Sequence, residues 1–154
     1  MKTKWWIIIV CLLVFFSFRI GRAFPYVVPA PTPSATPNYS GQELFDAVNA
    51  YRESKDLPLI KLSPDFCNNI VSRWEIMSKA ETVGHEGFEA WAFKYLPAGV
   101  SVSEIAGPGE TPQELVNSWL GSPSHRLSLD NATFTWGCSY AAHGYGVMEL
   151  GRYR

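Results

Sequence analysis

Residues 24–39, FPYVVPAPTPSATPNY, hold five of the chain's eleven prolines, and that stretch limits what the rest can fold into. Proline fixes φ and has no backbone donor, so such a run suits neither a helix interior nor a central strand. It favours extended polyproline II, and sixteen residues at about 3.1 Å each reach ~50 Å. The run reads as a linker or stalk. It divides the 154 residues into an N-terminal piece, 1–23, and one candidate domain, 40–154.

The N-terminal piece, MKTKWWIIIVCLLVFFSFRIGRA, sets two lysines before an apolar run, Trp5–Phe18, with small residues Gly21 and Ala23 after it. This is the order of a secretory signal peptide cleaved after Ala23. The alternative is an uncleaved transmembrane helix. Fourteen residues are short for a span of about 20, although Trp5, Trp6, Arg19 and Arg22 suit the two interfaces. Both readings export the domain, which is then secreted or tethered to the membrane through residues 5–18. Cys11, inside the apolar run, reads as filler.

The net charge of −1 hides an asymmetry, because residues 40–154 hold all fourteen acids and only nine of the thirteen basic residues. An acidic domain without a Lys/Arg stripe lacks the electrostatic footprint for nucleic acid, which sets that class of partner aside. Cys67 and Cys138 are the two cysteines outside the apolar run. In an oxidising compartment they are a disulfide candidate. Two separately buried thiols are the alternative, since sequence does not supply the Cα separation.

Ser40-Gly-Gln-Glu43 is a capping box, followed at helical spacing by Leu44, Phe45, Val48 and Tyr51. A second helix starts at Ser63-Pro64 and carries Phe66, Ile70, Trp74 and Met77 on its apolar face. GFEAWAFKYL is a third, shorter helix, and GVSVSEIA alternates like a strand. Thr111-Pro-Gln-Glu114 begins a further helix, and TFTWGCSYAA and YGVMELGRY flank His143-Gly144 as a closing hairpin. Helices come first and the clearest strands last, which predicts an α+β fold.

Three histidines bound the chemistry: His85, His125 and His143. GHEGFEAW suggests a zinc-binding HExxH helix, but the fifth position is Glu89 and the pattern fails. His143 sits at the hairpin tip, facing solvent. His85 precedes an aromatic-rich turn, and His125 lies in the Gly121-Ser-Pro-Ser context of a loop at a helix end. Glu104 interrupts the apolar stretch VSVSEIAG, where a carboxylate needs hydrogen bonds or a charged partner. His85 and His125 are the candidate partners, at separations of 19 and 21 residues. Zinc on His85 and His125 would leave Glu104 as general base of a hydrolytic site. The same groups without metal form a pH-sensitive cluster.

The runs NAYRESKDLPLIKLSPDF and SEIAGPGETPQELVNSWLGSPSHR resemble the bacterial branch of the CAP superfamily, the SCP-like domains of cysteine-rich secretory proteins, antigen 5 and pathogenesis-related 1. The resemblance covers about residues 40–154 and is most specific in TPQELVNSWLGSPSHR. It implies a three-layer α-β-α sandwich with a C-terminal antiparallel hairpin, and a cleft lined by histidines and acids. His85 and His125 match the two cleft histidines, and Glu104 the glutamate of the family's GENIA-type motif. Two departures stand out. The asparagine after that glutamate is missing, so alignment on Ile105-Ala106 places Ser103 at the glutamate position instead. Ser122 stands where some relatives carry a second cleft glutamate.

The resemblance implies an exported or membrane-tethered protein of the cell envelope or medium. It would bind a small-molecule, lipid or peptide ligand through His85, Glu104, His125 and Ser122, with zinc on His85 and His125 as a facultative cofactor. A metal-assisted peptide or ester hydrolase is one alternative, and a non-catalytic surface interaction module the other.

Overall fold

The computed structural model describes residues 39–79 and 84–154. The apolar segment 5–18, its cleavage or retention, and nearly all of the proline-rich run lie outside the described residues. Among the described residues no helix is long and apolar enough to cross a membrane.

The elements in chain order are α1 (Gly41–Glu53), β1 (Lys61–Leu62), α2 (Pro64–Lys79), α3 (Phe88–Tyr95), β2 (Ser101–Pro108), α4 (Pro112–Gly121), α5 (Pro123–Leu129), β3 (Trp136–Ala142) and β4 (Tyr145–Arg152). The capping box forms as expected: the Ser40 hydroxyl accepts from the Glu43 amide, and the Ser40 amide donates to the Glu43 carboxylate at 2.7 Å. Thr111 caps α4 through its hydroxyl alone, which accepts from the Glu114 amide at 3.2 Å, while the Glu114 carboxylate accepts from the Glu110 amide and Pro112 opens the helix. Ser63 precedes α2, yet its hydroxyl lies on the Tyr153 hydroxyl at 2.6 Å rather than on the helix.

The strands form one sheet in the order β1-β3-β4-β2. β3, β4 and β2 run antiparallel, while the two-residue β1 adds a parallel edge to β3. His143 and Gly144 join β3 to β4 with φ values of 52° and 77°. Two consecutive residues at positive φ make the tight turn whose twist matches a hairpin. His143 is exposed at this tip, as expected, with its ring 5.6 Å from that of Trp74.

Alternation along the strands sends side chains to two helical layers. Met148, Leu150 and Ile105 pack with Leu44, Phe45 and Val48 of α1, Leu115, Val116 and Trp119 of α4, and Leu129 of α5. Val147, Cys138 and Ala106 face Phe66, Ile70 and Met77 of α2. The result is the α+β, three-layer α-β-α sandwich with its C-terminal hairpin. Tyr39, the last residue of the proline-rich run, belongs to the first layer: it is buried and its hydroxyl donates to the Gly109 carbonyl at 3.3 Å.

Cys67 on α2 and Cys138 on β3 form a disulfide with their Cα atoms 5.2 Å apart, which settles the alternative of two free thiols. The bond ties the second helical layer to the sheet. Its partners are 71 residues apart in sequence, and a loop of that size constrains the unfolded chain by about 4 kcal/mol in the chain-entropy account.

Candidate functional site

β2 is an edge strand of the sheet. Glu104 lies on β2, on the face toward α2, paired in register with Glu149 of β4, which is paired in turn with Cys138 of β3. The Glu104 side chain is only 1% exposed. A buried carboxylate requires compensation, and Arg73 of α2 supplies it. Its Nε donates to Glu104 Oε2 and its Nη2 to Oε1 at 2.7 Å, a two-pronged pair of the kind guanidinium geometry favours. Arg73 was not anticipated from the sequence.

The same guanidinium fixes the loop before α3. Nη1 donates to the Glu86 carbonyl at 3.1 Å and Nη2 to the Gly84 carbonyl at 3.2 Å, with the group lying over the Phe88 ring. His85 is held between these two anchored residues. Its Nδ1 is 3.0 Å from Glu104 Oε1, while its side chain remains 54% exposed. A carboxylate only accepts, so Nδ1 carries the proton and the other nitrogen of a neutral ring, Nε2, presents a lone pair.

His125 comes from the opposite layer. Its place in a loop, expected from the glycine and serines before it, is corrected by the structure: Pro123 opens the short helix α5, and His125 lies within it. Ser128, one turn on, shares a 2.7 Å hydrogen bond with Ser103 of β2, which fastens α5 to the edge strand. The two imidazole rings sit 5.9 Å apart at 77°. Burial, and then the neighbouring His85, push His125 below the ordinary histidine value, so it is neutral at pH 7.

His85, Glu104 and His125 therefore converge. Glu104 turns to His85, whereas Ser103 turns to α5. Ser122 ends α4 and starts α5, and its hydroxyl meets that of Ser124 at 3.2 Å rather than either imidazole.

Both Glu104 oxygens are engaged and shielded from solvent, an arrangement that orients His85. Among the described residues, no three His, Cys, Asp or Glu side chains are grouped to hold a metal ion. The donor set thus does not fit a zinc with three protein ligands. A cation entering here would meet two imidazoles and take its remaining donors from solvent or from a ligand.

Glu149 is the second residue the sequence reading passed over. It is fully buried beside Glu104, and its oxygens meet no donor among the described residues. The available signal was the same as for Glu104: an acid inside an apolar strand, VMEL.

Comparison with solved structures finds the same fold elsewhere. An outer surface protein of Borrelia burgdorferi matches with a TM-score of 0.64 and 18% identity, over 73% of this chain and 92% of that one. An extracellular SCP-domain protein of Bacillus anthracis matches with a TM-score of 0.65 and 18% identity, over 72% of this chain and 39% of that one. A cysteine-rich secretory protein of Staphylococcus aureus gives 0.65 and 16%, over 73% of this chain and 38% of that one. The chain matches no curated protein sequence. Residues 45–149, most of the chain, match the CAP family, described as the cysteine-rich secretory protein family, and the chain belongs to that family.

Proposed function

We propose that this is an extracytoplasmic CAP-domain protein, secreted or tethered by residues 5–18, that binds a small molecule, lipid or peptide at the His85–His125 pair without catalysing its conversion. Three observations support the location. The N-terminal pattern is that of an exported chain, the disulfide suits an oxidising compartment, and two of the structural relatives are described as outer-surface or extracellular proteins.

One observation carries the binding role. A buried ion pair, Arg73–Glu104, fixes an exposed imidazole beside a second imidazole from the opposite layer. Such preorganisation lowers the ordering cost of binding. The burial of Glu104 and the engagement of both its oxygens favour binding over hydrolysis, because they hold the cluster's carboxylate away from water. Zinc is a probe of the same surface, held by the two imidazoles.

Ring NMR signals of His85 and His125 test the proposal on the exported form of the protein. Zinc chloride, a short-chain phospholipid and a pool of short peptides are added in turn. At least one class is expected to shift both rings together, with the effect lost in His125→Ala. If none moves either ring, or if the response survives His125→Ala, the reading fails.

A further inference from the structure

Glu149 takes no part in the site as described, yet it occupies the centre of the sheet directly behind Glu104. Among the described residues few groups face it. Glu104 lies beside it on β2, Cys138 on β3 is closed in its disulfide, and Arg73 reaches in from α2. His85 stands on the far side of Glu104. The donors of Arg73 go to Glu104, Glu86 and Gly84, and none reaches a Glu149 oxygen. An ionised Glu149 would add a second anion against one guanidinium, buried and with no donor of its own among the described residues.

We propose that Glu149 is a positioning residue of the imidazole pair: as an uncharged carboxylic acid it donates its one proton to Glu104, completing a relay Glu149–Glu104–His85. The relay rests on His85 and His125 being the ligand-binding surface. Lone-pair counting supports it. A carboxylate offers about four acceptor positions, and Arg73 and His85 take three of those on Glu104. Among the described residues no other donor occupies the remaining one. Burial and then the Glu104 charge raise Glu149 well above the carboxylate range, and Arg73 opposes the shift. With its proton in place, the carboxyl becomes a donor through one oxygen, and one of its two orphaned oxygens is accounted for.

Infrared difference spectroscopy on the folded protein at pH 7 provides the test. The wild type is expected to show the carbonyl absorption of a protonated carboxyl, and Glu149→Gln to lose it. Glutamine still offers Glu104 a donor, so the His85 ring signals stay near their wild-type positions. Glu149→Leu fills the space without a donor, and the His85 ring signals shift with a weaker contact to His125. A wild-type spectrum without the protonated band overturns the proposal, and so does a Leu variant whose His85 signals match those of the Gln variant. Should the Leu variant not fold, the wild-type band alone decides. Failure of every probe to reach the histidines would sink the binding reading while leaving this band in place, so the two outcomes are distinct.

Discussion

Among the described residues two arginines are completely buried, and they are neutralised in different ways. Arg73 meets a carboxylate, Glu104, with two loop carbonyls as secondary partners. Arg52 meets carbonyls alone: Pro58 through Nε, Leu129 and Asn131 through Nη1, and Asn131 and Phe134 through Nη2. The Leu129 carbonyl ends α5, where the negative end of the helix suits a cation. Arg52 therefore fastens the segment that carries His125, and Arg73 fastens the segment that carries His85. One arginine is a charge partner within the site. The other is a clamp behind it.

The difference predicts different responses to the same substitution. Arg73→Met leaves Glu104 buried without its cation, and breaking a buried pair from one side costs about 4 kcal/mol. Adding Glu104→Gln removes the stranded charge and is expected to recover at least half of the loss. Urea denaturation of the single and double variants measures this. A double variant no more stable than Arg73→Met would show that the charge pairing is not what Arg73 supplies.

Arg52→Met has a smaller expected cost, about 3 kcal/mol, from carbonyls left without donors rather than from a stranded charge. Burial lowers Arg52 from the usual arginine value, and Asp130 is the first group opposing that shift. Asp130 hydrogen-bonds to Tyr51, however, and not to Arg52. Adding Asp130→Asn to Arg52→Met should therefore give no rescue, the two effects summing within about 0.5 kcal/mol. Recovery of more than that would make Arg52 a second ion-paired arginine and erase the contrast.

The two arginines also mark where the sequence was legible. The Ser40 capping box, the Thr111-Pro112 start and the His143-Gly144 turn are local signals, and the elements form where those signals lie. His85 and His125 were legible through the family resemblance, and Glu104 also through its apolar setting. Arg73 was missed because a charge on an amphipathic helix is normally read as solvent-facing. Yet residues 66, 70, 73 and 77 form the buried stripe of α2, and Arg73 sits on it. Arg52 falls four residues after the buried Val48, and Glu149 between Met148 and Leu150, so the same signal was present twice more. What the sequence could not supply was the partner of each buried charge, since those partners lie on other elements. The helical placement of His125 was hidden for a simpler reason: Gly121 and Ser122 look like the end of a helix, although Pro123 immediately opens another.

The smallest expected effect concerns pH and joins the clamp to the site. His125 has a lowered folded-state value, caused first by burial and then by His85. The unfolded chain therefore binds its proton at higher pH than the folded one does. The associated stability is fully present above the ordinary histidine value of about 6.5 and is lost as pH falls through the lowered value. Melting temperatures measured between pH 7 and pH 5 should decline in the wild type and decline less in His125→Gln. Arg52→Met should reduce the decline as well, because an unclamped α5 lets water reach the His125 ring and removes the main cause of the shift. Arg73→Met acts on the opposite layer and leaves the burial of His125 in place. If Arg52→Met keeps the full decline, the clamp on α5 does not control the surroundings of His125, and the two arginines differ only in their partners.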